Sequence, residues 1–234
     1  MTTAESNYPD SYYLHTANSI KDRPQLTESI DADVCIIGGG YTGLLAALNL
    51  AEKNYRVVLL EANKIGWGAS GRNGGQIGSG HNKKIDQLEK DYGKSLARDL
   101  WNLSEHAKEI VKDRITNHQI NCDLRHGNMT VSNNPRDDAE HRRYVEKLNK
   151  DYDYDSIRYV DQEEVYDIFH SPFFKGGGSM DVGGMHLHPL NYALGLADAA
   201  ERQGVEIYEN SRVLNYSKGL ISQATTDHGK VRAK

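Results

Sequence analysis

The chain has 234 residues, with 28 Lys and Arg against 33 Asp and Glu, and a formal net charge of -5. That balance gives no electrostatic reason to expect a polyanion, so no nucleic-acid partner is expected. No run approaches the roughly 18 apolar residues of a membrane span, and the polar, Tyr-rich start has no secretory pattern. The two cysteines, Cys35 and Cys122, form no CxxC pair; they read as the thiols of a cytoplasmic protein, with Cys35 a small hydrophobe.

Residues 1–31 are polar, lack periodicity and read as an N-terminal arm. Residues 33–37 form a short β-branched apolar run, predicted as a buried strand, that ends in Gly38-Gly39-Gly40. Residues 44–53 predict a helix, closed by Asn54 in a left-handed position. Residues 56–61 predict a second buried strand, completing a βαβ unit with a parallel sheet. Seven glycines between 66 and 80 exclude a helix or strand interior there.

Beyond them, Ile85, Leu88 and Tyr92 fall at helical spacing; Gly93 interrupts, and Leu96, Leu100, Leu103, Ala107, Ile110 and Val111 resume it. Residues 124–131 read as a hairpin turning at Gly127-Asn128. Residues 136–152 read as a solvated, charged helix, 160–169 as a short helix, and 176–187 as turns and short strands. Pro189 opens a helix, as proline favours the first helical position, and Gly204 stops it. Residues 205–208 form a strand, Val213 and Leu214 lie in the next, and 221–226 pair with 231 onward around Asp227-His228-Gly229.

The chemistry concentrates at Gly38-x-Gly40-x-x-Gly43, set between strand and helix. Its first glycine permits the sharp turn, the second lets the backbone approach a pyrophosphate, and the third lets helix and strand pack closely. The helix start supplies free N–H groups and a positive dipole end. Glu61 closes the second strand 21 residues past Gly40, near the spacing of a carboxylate that accepts both ribose hydroxyls. The glycine-rich loop 66–76 replaces the helix and third strand of a nicotinamide-type fold. So little side chain can lie flush against a flat ring such as a flavin; NAD stays open on these residues alone. His186-x-His188 with Asp181 lacks a third ligand at metal spacing, so no metal is expected. His188 is read as positioning the start of the 189 helix, and His186 as either facing a substrate cavity or lying in core or surface. Trp67 and Trp101 are read as packing residues.

Residues 34–44 (VCIIGGGYTGL), 65–76 (IGWGASGRNGGQ) and 183–191 (GGMHLHPLN) together resemble the D-amino-acid-oxidase type of FAD-dependent oxidoreductase. The resemblance runs from about Tyr12 to the end. It implies an α/β fold: a Rossmann-like FAD-binding domain with a parallel sheet from residues 32–80 and 188–234, and an inserted α+β cap from 81–187. It implies that Gly38, Gly40, Tyr41, Thr42 and Gly43 line the FAD pyrophosphate and that Glu61 holds the adenosine ribose. Ala69, Ser70, Asn73, Gly74, Gly75 and Gln76 would follow the ribityl chain and isoalloxazine, and the Val213 backbone would meet the adenine. The middle loop has no His, so the FAD is expected to be non-covalent.

The implied reaction is oxidation of a primary amine like gamma-glutamylputrescine to an aldehyde. Ammonia is released, and oxygen is the acceptor that yields hydrogen peroxide. Members of the family continue past a segment like 226–234 with a further strand and flavin-binding glycines, so the chain reads as truncated at its C-terminus; its mean hydropathy of -0.69 fits that reading. The rival readings are a non-catalytic N-terminal fragment of such an oxidase, an NAD-dependent dehydrogenase, and an interaction module using the charged helices.

Overall fold

The computed structural model describes residues 8–234; the first seven residues of the expected N-terminal arm lie outside the described residues. In chain order the elements begin α1 (Tyr12–His15), β1 (Ser29–Ala32), β2 (Val34–Ile37), α2 (Tyr41–Ala51), β3 (Val57–Leu60) and β4 (Gln76–Ile77). There follow α3 (Ile85–Asn117), β5 (Arg125–Val131), α4 (Asp138–Tyr152), β6 (Ile157–Val160), α5 (Gln162–Phe169) and β7 (Gly178–His186). Last come α6 (Pro189–Arg202), β8 (Glu206–Tyr208), β9 (Asn215–Ser217), β10 (Ser222–Thr225) and β11 (Lys230–Ala233). Among the described residues no helix is long and apolar enough to cross a membrane. The chain divides into two units, 8–74 with 114–122 and 188–234, and 75–113 with 123–187.

The first unit is built on a parallel sheet in the order β2-β3-β8. β3 sits in the middle, and Val57, Val58, Leu59 and Leu60 are all buried. Four adjacent apolar residues with no polar alternation are what a strand covered on both faces requires. α2 packs against β3 and α6 through Leu44, Ala47 and Leu48, and α6 turns an Ala-rich face inward, with Ala193, Ala197 and Ala200 fully buried. Small side chains there let the helices approach closely. His188 caps α6: its Nδ1 accepts the Asn191 N–H at 3.1 Å, with Pro189 at the first position. Asn54, at φ 65, and Gly204, at φ 90, end α2 and α6 as the sequence predicts.

A second sheet of the same unit runs β1-β11-β10-β9. Leu26, Ile30, Ala32, Val58, Leu60, Ala224 and Val231 form one buried cluster between the two sheets. The hairpin around Asp227 is present as β10 and β11.

The second unit centres on β7, which pairs antiparallel with β5 along its length, with β6 at its start and with β4 at its end. Its core joins Ile85, Leu88, Ala97, Trp101, Val145, Leu148, Tyr152, Tyr154 and Ile157. Trp101 stacks edge-on to Tyr152 and Tyr154 at 5.6 and 5.2 Å, so it is a packing residue. A buried polar cluster braces the same unit. The Asp181 carboxylate accepts from Ser79, Tyr154 and the Gly183 and Gly184 amides, while Lys108 donates to Ser79 Oγ at 2.6 Å. α3 is broken at Gly93, with φ 80 and ψ 162, where the spacing predicts an interruption.

Five local expectations are corrected. The described part of the N-terminal segment is not an unattached arm: β1 pairs parallel with β11, and Arg23 and Leu26 are buried. Residues 124–131 form no hairpin but the single strand β5, and Gly127, at φ 99, sits at its bulge between His126 and Asn128. Residues 176–187 carry one nine-residue strand, whose ladder with β5 outweighs its glycine content. The run at 33–37 is a strand but an edge one, leaving Ile37 exposed. Val213 and Leu214 precede β9 instead of lying in it.

Candidate active site

In the first unit the C-terminal ends of β2 and β3 place the glycine turn and Glu61 side by side. β2 ends at Ile37, and Gly38 takes φ 108 to turn the chain into α2. A Cβ on Gly38 would meet nothing within 4 Å, so the turn opens onto free space. Gly40 is the N-cap and makes no side-chain cap bond. An α-helix leaves its first four N–H groups without intrahelical partners. Here Ser70 Oγ takes the Tyr41 amide at 3.1 Å, and the amides of Thr42 and Gly43 are the donors offered to an anion.

Glu61 is half-buried. Its Oε2 accepts the Gly39 amide at 2.6 Å and its Oε1 the Asn63 amide at 2.8 Å. Each carboxylate oxygen retains a second lone pair, which two vicinal hydroxyls can use. The backbone around it is fixed by Tyr208 and Ser211: the Glu61 amide donates to Tyr208 O at 2.9 Å, and the Ser211 amide donates to Glu61 O at 2.8 Å. Val213, two residues on, is half-buried against the cluster of Leu26 and Ile30.

The glycine-rich loop folds directly onto this turn. The Gly66 amide donates to Gly39 O at 3.0 Å, and Ala69–Gly71 forms a single 3-10 turn beside the start of α2. Asn73 Nδ2 donates to Ala69 O and Ser70 O at 3.1 and 3.0 Å and reaches Tyr41 Oη at 3.3 Å. Tyr41 Oη in turn donates to Pro189 O at 3.0 Å, tying the loop to α6. Burial pushes the Tyr41 phenol up to about 12, so it stays protonated as the donor this bond needs.

Gly38, Gly40, Tyr41, Thr42, Gly43, Glu61, Ala69, Ser70, Asn73 and Gly74 thus lie in one unit, as does Val213. Gly75 and Gln76 belong to the second unit, where the Leu187 amide donates to Gly75 O at 2.9 Å and Gln76 pairs with His186. Sequence reasoning missed the Tyr41–Pro189 bond and the Tyr8 hydroxyl, which donates to Ile65 O at 2.7 Å and braces the loop's entry. Neither partner pair carries a spacing signal. A helix start with two amides left to donate, a carboxylate at the next strand end and a loop of small residues form a cradle suited to a dinucleotide.

Residues 33–234 match the family described as FAD dependent oxidoreductase. The chain is 39% identical over 229 residues to the gamma-glutamylputrescine oxidoreductase of Escherichia coli (strain K12), an alignment covering 98% of this chain and 53% of that protein. Among solved structures it resembles L-amino acid deaminase from Proteus myxofaciens, with a TM-score of 0.71 and 20% identity over 93% of this chain and 47% of the other. It also resembles the dithionite-reduced L-alpha-glycerophosphate oxidase of Mycoplasma pneumoniae with FAD bound, with a TM-score of 0.62 and 21% identity over 86% and 52%. The chain spans about half the length of the curated relatives it matches.

Proposed function

Because the chain belongs to the FAD dependent oxidoreductase family, we propose that the protein oxidises a primary amine of the gamma-glutamylputrescine kind to an aldehyde, with release of ammonia and hydrogen peroxide. The observation that carries this reading is the likeness to gamma-glutamylputrescine oxidoreductase along nearly the whole chain. When bound, FAD would supply the redox chemistry, a two-electron acceptor for the carbon beside the neutral amine, with oxygen as the final acceptor. The imine that remains is hydrolysed by water.

The chain's own residues bind and orient. The Thr42 and Gly43 amides, at the positive end of α2, would hold the pyrophosphate. Glu61 would accept the adenosine ribose hydroxyls, and the Val213 backbone would meet the adenine. Ala69, Ser70, Asn73, Gly74, Gly75 and Gln76 would follow the ribityl chain and ring, with no histidine in the loop to make a covalent link. In the domain reading that goes with this, 32–80 and 188–234 form the FAD-binding part and 81–187 the cap. The cradle of Gly38–Gly43 and Glu61 favours a second reading beside it, in which these residues hold the cofactor without turning over amine.

The test is a visible spectrum after incubation with FAD and gel filtration. Retained bands near ~450 nm, followed by amine-dependent peroxide formation, support the first reading. Bands without peroxide support the second, and a colourless protein defeats both. Glu61→Ala should weaken FAD binding at least about tenfold, since each charge-assisted bond is worth roughly 1.5–3 kcal/mol. Glu61→Gln, which keeps one acceptor oxygen, should fall between wild type and Glu61→Ala. Unfolding measured on the same samples separates lost ribose contact from lost support of Gly39. An unchanged dissociation constant would remove Glu61 from the site.

A further inference from the structure

The sheet of the second unit carries an arrangement that the cofactor reading does not use. β4 pairs β7 with Gln76 opposite His186, and β5 pairs β7 with Arg125 opposite the same His186. Directly paired residues of antiparallel strands project to one face, with Cβ atoms about 4.5–5.5 Å apart. Gln76, His186 and Arg125 therefore form a single row across three strands, and all three are exposed. The next row, Ile77 with Met185, faces the other way, and Met185 is buried.

Two features of this row point to an anion. Among the described residues no carboxylate lies within 4 Å of the Arg125 guanidinium or the His186 ring, whereas Arg98, Lys108, Arg143, Lys147 and Arg158 of the same unit each have one. The backbone beneath is also held in place. Asn128 Nδ2 donates to Met185 O at 3.2 Å, the Leu187 amide to Gly75 O, and Asp181 gathers the Gly183 and Gly184 amides just before the row. These bonds fix the strand backbone from which the row projects.

We propose that Arg125 and His186, with Gln76 beside them, form a subsite for a carboxylate carried by the substrate away from the amine that is oxidised. A guanidinium fork beside an imidazole N–H matches the two oxygens of a planar carboxylate. The role as a substrate subsite rests on the proposed function, in which Gln76 borders the flavin ring. A substrate with a glutamyl group has such a carboxylate, and its amide or decarboxylated analogue does not.

The experiment follows the His186 ring resonances by NMR in the whole chain at constant low ionic strength. Glutarate is the probe, glutaramide the neutral control and inorganic phosphate the competitor. Glutarate should shift the His186 signals saturably and glutaramide should leave them in place. Arg125→Gln should weaken glutarate binding at least about tenfold, and Arg125→Lys, which keeps charge but loses the fork, should fall between. No glutarate shift, equal affinity in Arg125→Gln, or tighter binding of phosphate than of glutarate overturns the proposal. FAD titration of the same samples separates the two claims. Glutarate binding without FAD retention leaves the carboxylate site standing and refutes its place beside a flavin, whereas FAD retention without glutarate binding does the reverse.

Discussion

Glu209→Ala should cost roughly 3–5 kcal/mol of folding stability, the range for removing one partner of a buried ion pair. Glu209 follows β8 and is fully buried, and the Arg23 side chain is 1% exposed. The carboxylate accepts the Ile65 amide at 2.9 Å, pairs with Lys64 Nζ at 2.9 Å and lies 3.8 Å from Arg23 Nη1. Arg23 also binds Asp198 and Glu201, at 2.8 and 3.0 Å. Removing Glu209 leaves the Ile65 N–H unsatisfied and takes one carboxylate from two cations, of which Arg23 is almost fully buried. Glu209→Gln preserves the acceptor for Ile65 and should cost clearly less. The urea midpoints should order wild type, Gln, Ala; a Glu209→Ala midpoint equal to wild type would mean that the cluster does not hold the fold. Function should follow stability here, because Ile65 leads into Gly66, whose amide is bonded to Gly39. FAD affinity should fall even under conditions where Glu209→Ala remains folded.

That cluster also marks the limit of what the sequence makes legible. The βαβ unit, the Gly38–Gly43 turn and Glu61 can be read because every relation among them is local: strand, turn, helix and strand follow within about thirty residues, each with its own residue signature. Arg23 is unreadable for the opposite reason. Its partners are Asp198, Glu201 and Glu209, nearly two hundred positions away, and nothing near residue 23 signals a buried cation. The Gly127-Asn128 pair has the residues of a hairpin turn, yet β5 continues through it because β7 offers a ladder on both sides of the bulge. At 33–37 the apolar pattern identifies a strand but not its place in the sheet, since an edge strand and a central one share that pattern. The row of Gln76, His186 and Arg125 is invisible for the same reason: register across three strands is a property of the pairing, not of any one segment.

Gly43→Ala should weaken flavin retention, because the larger of two opposing effects is the destabilising one. In an ordinary helix interior, Gly→Ala stabilises by roughly 0.5–1 kcal/mol. At Gly43 the added Cβ would fall closer than 3.0 Å to the Gly38 carbonyl oxygen and 3.3 Å from Ile36 Cγ2. Neither neighbour is the free end of a flexible chain: one is backbone of the turn itself, the other a β-branched side chain on β2. α2 must therefore move off the strand, at an overpacking cost of typically 1–3 kcal/mol that exceeds the helical gain. The displacement also carries the Thr42 and Gly43 amides out of line with the turn, so FAD affinity should drop by more than about tenfold. Gly68→Ala is the matched control. A Cβ on Gly68 would meet nothing within 4 Å, so no clash like the one at Gly43 arises and stability should fall far less. Chemical denaturation of both variants, with FAD retention read from the visible spectrum, decides the matter. Gly43→Ala with wild-type stability and wild-type FAD binding would show that helix and strand do not need the close approach this turn provides.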